Sequence, residues 1–209
     1  MTKTLVKFCG CTSWDDVALA VDAGADAFGM IFAASPRRIT WEIAQAIAAR
    51  KPGILPVGVF VDPHAEDIAR LRAIFPHAAI QLSGNESPTF AAACTGTVIK
   101  TIHVGVGDGA AAIQVQAQRY PQAIALFDSR VAGLAGGSGV TFDWSRIVPI
   151  ARARAVIVAG GLTPENVGAC VREVAPFAVD VRSGVETDGR KDAAKMRAFV
   201  RAVWESDAA

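Results

Sequence analysis

Lys7 and Cys9 stand two residues apart in the apolar run Leu5 to Cys9. On a β-strand that spacing puts both side chains on one face. A neighbouring ammonium favours thiolate over thiol, so the pair predicts a thiol with a pKa below the free value of about 8.5. The plainer alternative is a small buried hydrophobe at a strand end. Asp128 closes the run Ala123 to Phe127, and the residues after it, Ser129 to Thr141, do not read as a helix for it to cap. It is therefore a candidate for proton transfer. Gly160-Gly161 and Ser183-Gly184 follow the apolar runs Ala155 to Ala159 and Ala178 to Val181. Glycines let backbone N–H groups approach an anion, so these turns are candidate phosphate loops, or simply tight turns. Arg37 carries the planar fork that grips a carboxylate; it and Arg38 could equally be solvated.

These residues need a frame, and the apolar pattern supplies one. Strand-length runs alternate with amphipathic segments along the whole chain: Leu5 to Cys9, Ala27 to Phe32, Leu55 to Val61, Ala79 to Leu82, Val98 to His103, Ala123 to Phe127, Ala155 to Ala159 and Ala178 to Val181. Between them the spacing predicts helices: one capped by Ser13 and stopped by Gly24, one starting at Thr40, and one after Asp62-Pro63. Further helices are expected near Glu86 to Cys94, Ala110 to Arg119 and Asp143 to Ala151. Another follows the cap Thr163-Pro164, and the last carries Met196, Phe199, Val200 and Val203. Continuous apolar strands separated by helices imply a parallel sheet covered by helices. Eight such units predict an α/β fold, the (β/α)8 TIM barrel, with residues 1–209 as a single domain; a doubly wound open sheet is the alternative. In such a barrel the chemistry sits at the C-terminal strand ends, which are also occupied here by Asp62, Gln81, His103 and Asp180.

Composition narrows the function classes. The net charge is +1 and charged residues make up 20% of the chain, with no basic stripe for nucleic acid. The short, charged start does not read as a signal peptide, and no apolar run approaches the ~18 residues of a membrane span. A cytoplasmic protein with free thiols is expected. The four cysteines are scattered, and Cys9 with Cys11 alone is a poor zinc pattern. No metal and no organic cofactor is expected. His64 and His77 read as solvent-facing.

Two segments compete for attention. Gly105 to Ala110 fits G-x-G-x-x-A, with Asp128 about 20 residues on, as in a dinucleotide-binding fold; but it starts at the fifth strand and leaves too few units for a second half. The Gly-rich stretch Gly133 to Gly139 reads as a lid with glycine hinges, or as disorder.

With the strand ends in view, essentially the whole chain resembles the phosphoribosylanthranilate isomerase family, which performs an Amadori rearrangement in tryptophan biosynthesis. The resemblance rests on Lys7 to Gly10, Phe32 to Arg37, Gln81 to Gly84 and Leu126 to Ser129. It continues through Gly136 to Gly139 with Phe142 to Trp144, Ala159 to Leu162 and Val179 to Glu186. It implies Cys9 as general base, Asp128 as general acid and Arg37 as holder of the substrate carboxylate. Gly160, Gly161, Asp180, Ser183 and Gly184 are expected to bind the phosphorylated small-molecule substrate. The chain departs from the family pattern at three places. Ser83 stands where the family usually has His, Arg182 replaces a small residue, and Arg38 an aromatic one. A histidine-pathway type of phosphosugar isomerase is the second reading, though it relies on two aspartates rather than a strand-one cysteine. Monomer and homodimer both stay open.

Overall fold

The computed structural model describes residues 3–129 and 141–208, so the expected lid over Gly133 to Gly139 lies outside the described residues. Eight parallel strands close into a barrel in chain order: β1 (Leu5–Cys9), β2 (Ala27–Ile31), β3 (Leu55–Phe60), β4 (Ala79–Leu82), β5 (Val98–Val104), β6 (Ile124–Ser129), β7 (Val156–Val158) and β8 (Ala178–Val181). Closure, with β8 pairing β1, excludes the open doubly wound sheet.

Side-chain alternation divides each strand between two cores. Val6, Phe8, Phe28 and Met30 point outward and are fully buried under the helices. Ala27, Val57, Ala79, Ile99, Leu126, Ile157 and Ala178 fill the barrel interior. Two residues further along four of these strands, Gln81, Thr101, Asp128 and Asp180 take the inner face nearer the C-terminal end, joined by Lys7, two past the partly buried Leu5. The register of β1 and β8 sets Lys7 directly opposite Asp180.

Helices α1 (Trp14–Ala23) and α2 (Trp41–Ala49) start as expected, with Ser13 and Thr40 side chains accepting the Asp16 and Ile43 N–H groups. Gly24 ends α1 at φ 86. Two expected caps are not caps. Asp62 sits at φ 46 and α3 (Ala65–Ile74) begins later. Its carboxylate accepts the Asn85 N–H at 2.6 Å, tying two loops at the barrel mouth. Thr163 also falls short of its helix: α7 (Val167–Val174) follows a turn in which Thr163 N–H donates to Asn166 Oδ1. The remaining helices are α4 (Pro88–Ala93), α5 (Ala110–Gln118), α6 (Val148–Ala153), preceded by a 3-10 turn at Trp144–Ile147, and α8 (Ala193–Asp207). A small hairpin, β9 (Glu186–Thr187) with β10 (Arg190–Lys191), was not expected.

Glu86 does not begin α4. It is buried between β4 and β5, where Lys100 Nζ donates to its Oε2 at 2.6 Å and the Asp62 and Gly84 N–H groups donate to Oε1. Burial alone would raise its carboxyl, but the Lys100 hydrogen bond and backbone donors bring it below the usual range. Removing one partner of a buried pair strands the other charge. Lys100→Met should therefore destabilise the protein by about 3–5 kcal/mol, read by denaturant melts. Loss of under about 1 kcal/mol would mean that Glu86 finds compensation in water.

Candidate active site

The inward polar residues open into a cavity of about 560 Å³ at the C-terminal strand ends. Cys9, Asp128, Gly160, Gly161, Asp180, Ser183 and Gly184 all line it. Arg37 does not, although its neighbours Ser35 and Pro36 do.

Cys9 is buried at 7% exposure and reaches the cavity from the end of β1. Gly29 on β2 makes its space: a Cβ there would stand 3.0 Å from Cys9 Sγ and 3.1 Å from Lys7 Nζ. Thiol and ammonium are thus neighbours, as the strand spacing predicts. Lys7 in turn donates to Asp180 Oδ1 at 2.8 Å, with both side chains buried. The expected lowering of the Cys9 pKa is not found. Burial pushes the thiol up more than the opposing Lys7 charge pulls it down, and the negative field of Asp180 adds to the rise. Lys7 itself is held above its ordinary value: burial works against its charge, but Asp180 and Cys9 overcome that.

Asp128 lies within β6 rather than just past it, beside His103 in register on β5. Burial raises its carboxyl pKa, opposed chiefly by His103. A carboxyl that keeps its proton more readily than usual suits a proton donor.

The two glycine turns touch each other. Gly160 and Gly161 are left-handed, at φ 80 and φ 67. A Cβ at Gly184 would lie 1.9 Å from the Leu162 carbonyl oxygen, so only glycine permits this approach of the loops. Among the described residues, no backbone N–H of Gly160, Gly161, Ser183 or Gly184 donates to another protein group. Such adjacent, unused donors form a ready anion cradle. The rival glycine motif is not of this kind. Asp108 accepts the Gly105 N–H at 2.8 Å, and Arg146 bonds the carbonyls of Val106 and Asp108, so that turn satisfies itself at the surface.

Arg37 is turned to Glu186, Nε donating to Oε1 at 2.9 Å and Nη2 to Oε2. Lys191 Nζ also reaches Glu186 Oε1, at 3.0 Å. Burial of Glu186 raises its carboxyl, but the Arg37 hydrogen bond and the Lys191 charge bring it below the usual range. Sequence reasoning gave Glu186 and Lys191 no role. Glu186 lies 149 residues from Arg37, and Lys191 sits in a hairpin too short to leave a pattern. Arg38 is exposed and engaged through its backbone, with N–H to Ser35 O at 3.0 Å. Ser83 hydrogen-bonds Thr101 at 2.9 Å, so the strand end stays polar without a histidine.

The family described as N-(5'phosphoribosyl)anthranilate (PRA) isomerase matches residues 6–202. The N-(5'-phosphoribosyl)anthranilate isomerase of Desulforudis audaxviator is 44% identical over 204 residues, covering 97% of this chain and 99% of its own. Phosphoribosyl anthranilate isomerase from Thermotoga maritima superposes with a TM-score of 0.87 at 35% identity, covering 96% and 98% of the two chains. A phosphoribosyl anthranilate isomerase in complex with reduced 1-(o-carboxyphenylamino)-1-deoxyribulose 5-phosphate superposes with a TM-score of 0.83 at 33% identity over the same shares. Sequence likeness of this extent, on a closed barrel carrying a thiol, an acid and a paired glycine cradle in one mouth, places the chain in the N-(5'-phosphoribosyl)anthranilate isomerase family.

Proposed function

We propose that this family member, with residues 1–209 acting as one catalytic domain in the cytoplasm, converts N-(5-phosphoribosyl)anthranilate to 1-(2-carboxyphenylamino)-1-deoxyribulose 5-phosphate, with Asp128 as general acid and Cys9 as general base. The observation that carries the reading is the order around the mouth. Asp128 on β6 and Cys9 on β1 flank β7 and β8, whose turns form the anion cradle. A substrate anchored there by its phosphate lies between acid and base. No helix of the described residues is long and apolar enough to cross a membrane.

Asp128 donates its proton to the furanose ring oxygen as the C1–O bond breaks and the aryl nitrogen lone pair forms the protonated Schiff base. Cys9 thiolate then takes the proton from C2, giving an enolamine that tautomerises to the ketose. Lys7, held by Asp180, keeps a positive charge beside the sulfur and favours the anion at that moment. Purified protein should consume the fluorescent substrate without added metal or nucleotide. Absence of turnover sinks the reading.

Arg37 is the proposed carboxylate holder, and Glu186 occupies two of its five N–H donors. Arg37→Met should weaken substrate binding by about 1.5–3 kcal/mol, measured as the dissociation constant of a carboxylate-bearing product analogue. Equal weakening for a carboxylate-free analogue would show that Arg37 shapes the mouth without reading the carboxylate.

A further inference from the structure

Arg182 follows Asp180 by two residues, just past the end of β8, and lines the cavity. Its stem is seated. A Cβ at Gly10 would stand 3.4 Å from Arg182 Cγ and Cδ and 3.0 Å from Arg37 Cδ, so the two arginine stems lie together over the residue that follows Cys9. Its backbone is fixed as well, the carbonyl accepting Lys191 Nζ at 3.0 Å.

Arg37 and Lys191 both spend themselves on Glu186, the one carboxylate they share. Arg182 has no hydrogen bond or ion pair from its guanidinium among the described residues. Among these three cations the uncommitted fork is that of Arg182, whose charge acts on Asp128 only through space. An anion in this place is the missing partner.

We propose that Arg182 is a substrate-binding residue that, with Arg37, grips the aryl carboxylate of the substrate. This rests on the isomerase reading above. Two features favour the carboxylate over the phosphate. The phosphate has its own cradle of backbone donors at Gly160, Gly161, Ser183 and Gly184. The Arg182 stem instead lies beside Arg37 and next to Cys9, where the carbon bearing the aryl amine adjoins the carbon that loses its proton. A planar guanidinium whose donors are uncommitted can bind a carboxylate through two parallel N–H bonds, which Arg37, already forked onto Glu186, can offer only with its remaining donors.

The test compares three probes on wild type, Arg182→Ser and Arg182→Gln: reduced 1-(o-carboxyphenylamino)-1-deoxyribulose 5-phosphate, its anilino counterpart lacking the carboxylate, and inorganic phosphate. Both variants should bind the carboxylated probe about 10- to 100-fold more weakly. Affinity for the anilino probe and for phosphate should stay within about twofold, and the thermal midpoint should not move enough to signal unfolding. Unchanged affinity for the carboxylated probe overturns the proposal. So does an equal loss for phosphate, which would assign Arg182 to the phosphate end. If the wild type binds the carboxylated probe but does not turn over phosphoribosylanthranilate, the isomerase reading falls while the Arg182 comparison still stands. If the wild type binds neither organic probe, both fall.

Discussion

Asp128→Asn should lower turnover by about 10²- to 10⁴-fold while leaving the protein as stable as before, or slightly more so. The amide keeps the shape and can still hydrogen-bond the ring oxygen, but it cannot release a proton to it. The stability sign follows from the pKa direction. Burial raises the Asp128 carboxyl in the folded protein, with His103 only partly offsetting it. A carboxyl whose pKa is raised on folding costs stability as pH rises from its unfolded value, and the cost is complete above the raised folded value. At neutral pH the neutral amide removes that penalty. A catalytic loss with an undiminished melting temperature would therefore separate the acid from a structural residue. Near-normal turnover would end the assignment, and a large drop in stability would show that Asp128 holds the mouth together.

The same shifts set the pH profile. In the proposed mechanism the productive enzyme has Asp128 protonated and Cys9 ionised, yet burial makes both groups keep their protons more readily. The working form is thus a minority species between the two pKa values. Its population is level there, falls below the Asp128 value as the thiolate is lost, and falls above the Cys9 value as the acid is lost. The plateau in kcat/KM should extend to the alkaline side of neutrality, because the raised thiol sets its upper edge. In Asp128→Asn the residual rate should lose that upper fall and follow thiolate alone.

Much of this frame was legible in the sequence because it depends on local periodicity. The eight apolar runs and the parity of Lys7 with Cys9 need no knowledge of distant residues. The strand edges shifted by a residue or two, which moved Asp128 inside β6 without changing the face it presents. What failed depended on partners far along the chain. Asp62 resembles a helix cap until Asn85, 23 residues on, takes its carboxylate. Glu86 reads as a helix start because nothing local reveals Lys100 on the next strand. Arg37 looks free until Glu186 meets it. The Cys9 pKa shifts up rather than down for a related reason: burial, which the sequence offered only as the alternative, prevails, and nothing local showed that Asp180 shares the lysine.

Cys9→Ser should fold normally and lose activity by about 10³-fold or more. A serine hydroxyl fits the same small pocket facing Gly29 but is far too weak an acid to supply an anion near neutral pH, even with Lys7 adjacent. Chemical labelling gives the complementary reading. Because burial raises the thiol, iodoacetamide should act slowly at neutral pH and faster as pH rises. Reduced product analogue should protect, and the label should map to Cys9, the cysteine that lines the cavity. Cys11 is the internal control. It is fully buried, its thiol is pushed up to about 12, and its Sγ donates to the Phe8 carbonyl at 3.7 Å, away from the mouth. Cys11→Ser should remain active and keep the labelling of Cys9. If Cys9→Ser retains substantial turnover, or if the protected label falls on Cys11, the proton at C2 is taken by another group. The nearest alternative carboxylate on the inner face would then be Asp180, released from Lys7.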